Sequence, residues 1–307
     1  MKVTILGSSS ALPTSGRYPS AHVLTAHERL FLIDCGEGTQ MQLRKTKIRF
    51  AKINHIFISH LHGDHIFGLY GLLSTFSLMG RENPIHLYAP EKYENILKSH
   101  LNDFDINLSF NIDFIPLSGK DPVRILDDKY LTVTSFPLQH RIPAYGFLFR
   151  EKITERNIIK ECIDKYQIPH VRIPAIKKGE DFMTADGTII KNEEITLPPP
   201  APLSYAYCSD TKYFKRLASF VKEVSMLYHE TTFDKTKDDL ALMTGHSTTL
   251  DAAKTALNAN VQTLIIGHFS ARYKNIEPLV EEARTIFPET YPAIDGQSYE
   301  VGNFTGR

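Results

Sequence analysis

Cysteine is scarce in this chain of 307 residues: Cys35, Cys162 and Cys208 stand far apart, with no Cys-x-x-Cys pair. That excludes a disulfide-stapled secreted scaffold and predicts reduced thiols. Cys35 and Cys208 read as small buried fillers. Also missing is any run approaching the ~18–20 apolar residues of a membrane span. The opening MKVTILGSSS has neither the long apolar stretch nor the cleavage site of a secretory leader. These absences together predict a cytoplasmic protein with no membrane partner. An excess of one charge is missing too, with 35 Lys and Arg against 35 Asp and Glu. A global basic field is therefore excluded, and a polyanion would have to be held by local patches. No internal repeat is visible.

What is present is an alternation of strands and helices. Hydrophobic residues make up 42% of the chain, enough for a substantial core, and the length suits one large α/β domain with an excursion. VTILG (3–7), AHVLT (21–25), RLFLID (29–34), INHIFIS (53–59), YLTVTSFPL (130–138), SYAYC (204–208), VSMLYH (224–229) and QTLIIG (262–267) read as strands. After Gly63 the period changes, and Ile66, Leu69, Tyr70, Leu73 and Phe76 follow helical spacing. Thr248-Thr249-Leu250-Asp251 predicts a capping box opening the helix DAAKTALNA. Leu279, Val280, Ala283, Ile286 and Phe287 mark a last helix. Residues 150–203 differ in texture: highly charged, then proline-rich, with a hairpin signal at Ala185-Asp186-Gly187-Thr188. They interrupt the domain between two strand regions and read as an inserted arm, not a second core domain.

The stretch SHLHGDH (59–65) packs His60, His62, Asp64 and His65 into six positions. So dense a cluster of lone pairs has too little apolar character for a packing role. An extended chain points His60 and His62 one way, while Asp64 and His65, at a helix start, face a neighbouring position. That favours two metals over one. The mix of imidazole and carboxylate suits Zn²⁺ best, with Mn²⁺ a substitute. Two metals need further ligands, best placed at strand ends. His140, Asp210 and His268 each follow a predicted strand, and a carboxylate such as Asp210 can bridge two cations. A single His after a strand is ordinarily a surface or hydrogen-bonded residue; the 60–65 cluster is what raises these positions above that reading. His22, His55, His86 and His100 have no such support.

LIDCGEGTQMQ (32–42), SHLHGDHIFGLYGLL (59–73), His140 with AYGF (144–147), SDT (209–211), HETTF (229–233), GHSTT (245–249) and HFSARY (268–273) run in this order over nearly the whole chain. Together they resemble the ribonuclease Z family of the metallo-β-lactamase superfamily; HxHxDH alone would reach only the superfamily. The resemblance implies a four-layer αββα sandwich over 1–307, with the metals at one edge of two sheets and 150–203 as a flexible arm that grips tRNA. It implies an endonuclease that removes 3′ trailers from precursor tRNA by metal-hydroxide attack on a phosphodiester. It implies two Zn²⁺ per subunit, one held by His60, His62, His140 and Asp210, the other by Asp64, His65, Asp210 and His268. It implies a homodimer. In this setting Asp64 is also the candidate general base. His246 is the candidate general acid for the leaving alkoxide, with Glu230 orienting it and raising its pKa.

RNA contacts are expected from local patches. Arg272, four residues after His268, is a candidate phosphate contact. Arg172, Lys177 and Lys178 form, with Lys165, a segment free of acids between 165 and 178, although the arm from 150 to 195 balances nine bases with nine acids. Arg44, Lys45, Lys47, Arg49 and Lys52 form a second basic cluster. Asp34 reads either as a partner for a metal-ligating His or as part of a turn with Gly36 and Gly38. Two segments depart from the family's pattern. The arm reads IPHVRIPAIKKG without a Gly-Pro pair, and the N-terminal loop PTSGRY keeps Pro13 and Arg17 but lacks the family's lysine and asparagine. Both concern substrate handling. A small-molecule phosphodiesterase or lactonase on the same dizinc site is the competing enzyme reading, and a projecting arm argues against it. A non-catalytic RNA-binding module is opposed by Asp64, Asp210 and His246.

Overall fold

Alternation along the strands decides the architecture. Val3, Ile5, Leu24, Phe31, Ile33 and Phe57 enter one apolar core, while their neighbours Val23, Leu32, Ile56 and Ile58 enter another. Each strand therefore has two buried faces and needs a layer on both sides. The computed structural model describes residues 1–302 and separates the chain into two units, Met1–Arg150 with the chain from Leu203 on, and Glu151–Pro202.

The first unit holds two seven-stranded sheets among the described residues. One runs Ser298–Glu300, Lys2–Gly7, Ala21–Ala26, Arg29–Ile33, Ile53–Phe57, Ile85–Pro90, Ile112–Leu117. The other runs Thr290–Pro292, Thr263–Gly267, Met226–Glu230, Ser204–Cys208, Tyr145–Glu151, Leu131–Pro137, Val123–Asp127. Phe31, Phe57 and Tyr88 of the first sheet and Phe147, Tyr205 and Tyr228 of the second share the central core. The outer face of the first sheet is covered by helices Thr39–Lys45, Gly68–Leu78 and Tyr93–Asp103. The outer face of the second is covered by Leu217–Phe220, Thr249–Ala259 and Glu277–Arg284. The order is helix, sheet, sheet, helix: the αββα sandwich expected.

Strands Ile85–Pro90, Ile112–Leu117, Val123–Asp127, Tyr145–Glu151, Thr290–Pro292 and Ser298–Glu300 extend the sheets beyond those read from sequence. Ile112–Leu117 carries Pro116, which cannot donate to a ladder, and it lies at a sheet edge, where that loss is tolerated. The helix predicted after Gly63 is broken into Gly63–Ile66 and Gly68–Leu78. The break lets this segment press on the turn after the third strand. Gly68 N donates to Cys35 O and Cys35 N donates to His65 O. A Cβ on Gly68 would lie 2.1 Å from Gly36 O, so only glycine permits this approach. The capping box at Thr248 and Asp251 is formed.

The second unit, Glu151–Pro202, has a small apolar cluster of its own: Ile168, Ile176, Phe182, Ile190 and Ile195. Two short ribbons pair Asn157–Ile158 with Thr196–Leu197 and Phe182–Met183 with Ile189–Ile190. The second ribbon closes through the predicted hairpin turn, with Gly187 at φ +87°. No helix among the described residues is long and apolar enough to cross a membrane.

Candidate metal centre

Strand ends bring the site together. Ile53–Phe57 delivers His60 and His62, and helix Gly63–Ile66 delivers Asp64 and His65. Leu131–Pro137 leads to His140, Ser204–Cys208 to Asp210, and Thr263–Gly267 to His268. A cavity of about 470 Å³ is lined by His62, Asp64, His140, Asp210, His246 and His268, among others.

Two groups of donors converge at the expected ligands, and Asp210, His246 and His268 form a third among the described residues. Ligand atoms of His60, His62, His140 and Asp210 lie within 4.8 Å of one another, as do those of Asp64, His65 and His268. His62 Nδ1 is 3.1 Å from His60 Nε2 and 3.2 Å from His140 Nε2. His65 Nε2 and His268 Nε2 are 3.3 Å apart, and each is 3.4 Å from Asp64 Oδ2. Such separations match the edges, about 3.3 Å, of a tetrahedron with ~2.0–2.1 Å bonds. Asp210 faces both groups. Its Oδ2 is 3.5 Å from His60 Nε2, and its Oδ1 is 3.3 and 3.2 Å from His65 and His268 Nε2. Oδ1 is buried with no hydrogen-bond donor, an arrangement that is costly without a cation.

In four of these five histidines the opposite ring nitrogen is engaged. His60 Nδ1 is 3.0 Å from Ser59 Oγ, His65 Nδ1 2.8 Å from Asp34 Oδ2, His140 Nδ1 2.7 Å from Gly245 O, and His268 Nδ1 2.9 Å from Thr232 Oγ1. With Nδ1–H donating outward, the Nε2 lone pair of each of these four is left for the centre, whereas His62 turns Nδ1 toward it. Burial, then the neighbouring His65, pushes His60 down to about 4, so it is neutral at pH 7. Burial also opposes charge on His65, but Asp210, Asp64 and Asp34 outweigh it and hold that imidazole well above its ordinary range. The same carboxylates would draw a cation in place of the proton. The donor set therefore fits two divalent metals.

Asp34 is fully buried at φ +55° and accepts from Ser59 N, Ser59 Oγ, His65 Nδ1 and Tyr207 Oη. Of its two sequence readings, the structure combines both: a turn residue and the partner of a clustered His. Cys35 and Cys208 are buried, and burial pushes the Cys35 thiol up to about 12.

His246 sits at the cavity with its Nδ1 donating to Glu230 Oε1 at 3.1 Å. Burial alone would lower its pKa, but Glu230 and then Asp210 outweigh it and raise it to about 9. Glu230 is itself fully buried and accepts from Thr211 N, Ser247 N, Thr232 N and Thr232 Oγ1. Thr232, which the sequence reading passed over, touches Glu230, His246 and His268 at once. Its only signal was membership of HETTF. Thr248 caps its helix, whereas Ser247 Oγ donates to Thr211 O.

The expected RNA contacts are more dispersed. Arg272 is exposed, lies over the Phe233 ring at 5.0 Å and is not among the cavity-lining side chains. In the second unit, Arg172 pairs with Glu180 at 3.4 Å and Lys177 approaches Glu155 at 4.0 Å, while Lys178 is exposed. Folding thus sets acids beside a segment that has none in sequence.

Comparison with known proteins adds a second line. Residues 1–159 match the family model for the anti-Pycsar protein Apyc1. The chain is 44% identical over 301 residues to ribonuclease Z of Bacteroides thetaiotaomicron, covering 98% of this chain and 95% of that one. It is 42% identical to ribonuclease Z of Parabacteroides distasonis, covering 97% and 98%. The crystal structure of the short form of human tRNase Z superposes with a TM-score of 0.72 at 26% identity, covering 98% of this chain and 99% of that one.

Proposed function

The chain belongs to the ribonuclease Z family, the endoribonucleases of tRNA 3′ processing, and from that premise we propose how its own residues cleave the trailer from precursor tRNA. His60, His62, His140 and Asp210 would hold one Zn²⁺, and Asp64, His65, Asp210 and His268 the other. When bound, the pair supplies an activated water near pH 7 and offsets charge on the phosphoryl oxygens. The observation that carries the reading is Asp210, whose two oxygens face the two donor groups while Oδ1 lacks any donor.

Asp64 accepts the proton of the attacking water. As the new P–O bond forms, the bond to the leaving oxygen breaks, and that oxygen needs a proton. His246 Nδ1 is committed to Glu230, which leaves Nε2–H as the donor. Glu230 favours the imidazolium and fixes the ring, and four further protein donors hold Glu230 in turn. Arg272, Arg172, Lys177 and Lys178 bind backbone phosphates; the exposure of Arg272, Arg172 and Lys178 supports this, and Lys177 is partly exposed. We read the protein as a cytoplasmic homodimer. Helices Thr39–Lys45 and Gly68–Leu78 pack together, and Met41, Phe67, Leu78 and Met79, on or next to them, are exposed apolar residues that a second copy could cover. Light scattering at micromolar concentration tests that point, and a monomeric mass would refute it.

The deciding assay gives zinc-loaded protein two precursor tRNAs, one encoding CCA and one not, beside Asp64→Ala, with product ends mapped to the nucleotide. One cut near the acceptor-stem end, absent in the variant, is expected. No cut in either RNA would turn the reading to a small-substrate hydrolase.

A further inference from the structure

The turn that displays Arg272 is closed from outside by another arginine. Within Ser270–Tyr273, Tyr273 N donates to Ser270 O at 3.0 Å. Arg17 Nη2 donates to the carbonyls at both ends, to Tyr273 O at 2.9 Å and Ser270 O at 3.3 Å. Arg272 Nε in turn donates to Ser270 Oγ at 3.0 Å, so one serine lies between the two guanidinium groups. Arg17 is itself anchored. Its backbone N donates to Thr14 Oγ1 and its carbonyl accepts from Thr14 N. The next residue, Tyr18, donates its N to Asp295 Oδ2 at 2.7 Å, and Asp295 Oδ1 accepts from Ser8 Oγ. Phe269 N donates to Ser8 O and Ser10 N to Phe269 O, which latches the 8–18 loop along the segment after His268.

We infer that Arg17 is a positioning residue for the reaction: it clamps both carbonyl ends of the Ser270–Tyr273 turn and thereby sets where Arg272 stands. The N-terminal loop would then act on substrate through Arg272, with no phosphate contact of its own from Arg17. This rests on the reading of Arg272 as a phosphate contact. A side chain that spends one guanidinium nitrogen on two carbonyls of the same turn is built to hold backbone, and the partly buried Arg17 contrasts with the exposed Arg272.

A double-mutant cycle on kcat/KM for a precursor tRNA tests it, with R17M, R272M, the double variant and R17K. R17M and R272M are each expected to lose about ten- to hundredfold, as for a charge-assisted hydrogen bond. The double variant should be no worse than R272M alone. R17K should keep most activity, since an ammonium can donate to both carbonyls. Losses that multiply would overturn the inference, because Arg17 would then act on substrate independently. So would an unchanged R17M. If R272M is neutral while R17M falls, the Arg272 reading fails and the inference fails with it. If R272M alone falls, the Arg272 reading stands and only the clamp is refuted. Should R17M not fold, R17Q enters the cycle in its place.

Discussion

At the scale of single residues, the chemistry turns on carboxylates that no metal needs as ligands. Glu230 holds His246 up at about 9, so the imidazolium persists at neutral pH and is lost as pH rises through that value. With His246 as the proposed acid, the alkaline limb of the kcat profile should belong to it. Glu230→Gln removes the charge that raises this pKa, so it should fall toward ~6.5 and the limb should move to lower pH. Profiles of both proteins from about pH 6 to 10 check this; an unmoved limb would detach Glu230 from the acid. His246→Ala should cut kcat by ~10²–10⁴-fold with metal content unchanged. Asp34 works on the other side, receiving His65 Nδ1, both Ser59 donors and Tyr207 Oη. Asp34→Asn keeps the volume but loses the charge that fixes the ring, and metal affinity should drop ~10–100-fold in competition with a chromophoric chelator.

At the scale of elements, the metal loop depends on how closely a helix can approach a turn. Gly68→Ala would place a methyl 2.1 Å from Gly36 O, where backbone must move. A loss of ~1–3 kcal/mol in urea unfolding is expected, with weakened metal binding, because Cys35 also pairs with His65 O. A variant as stable as the parent would show that the break after Ile66 has another cause. In the 151–202 unit, Arg172 and Lys177 have exposed acidic partners, and such pairs are worth only ~0–1 kcal/mol. Phosphates can displace them. Reversing Arg172, Lys177 and Lys178 to Glu should weaken precursor tRNA binding and flatten its salt dependence, by about one unit of slope for each phosphate no longer neutralised. Hydrolysis of bis(p-nitrophenyl) phosphate should be spared; equal loss of both activities would refute a role confined to RNA binding.

At the scale of the whole molecule, donors from the 60–65 loop and from His140, Asp210 and His268 meet where strands of two sheets end. Metal binding and folding should be coupled for that reason. Chelation should abolish cleavage and lower the melting temperature, since a ligand at ~100–1,000 times its Kd contributes ~2.7–4.1 kcal/mol. Calorimetry with and without chelator, then with Zn²⁺ or Mn²⁺ returned, measures both effects. A melting temperature indifferent to metal would mean the Asp210 carboxylate is satisfied in some other way.

Eight of the strands, the helix start at Gly63 and the capping box at Thr248 were legible along the chain, because each is specified by neighbours a few residues apart. So was the density of the 60–65 cluster, and the order of motifs was enough to indicate the family. The edge strands were not: IDFIPL carries a proline that argues against a strand until its edge position is known. Nor could the chain order say that Thr232 touches Glu230, His246 and His268, that Asp34 is both turn and His partner, or that Glu155 and Glu180 stand beside the basic segment. These depend on hydrogen bonds and charges between residues far apart in sequence. Local pattern determines what an element is; only the packing of sheet on sheet determines which side chains its ends share.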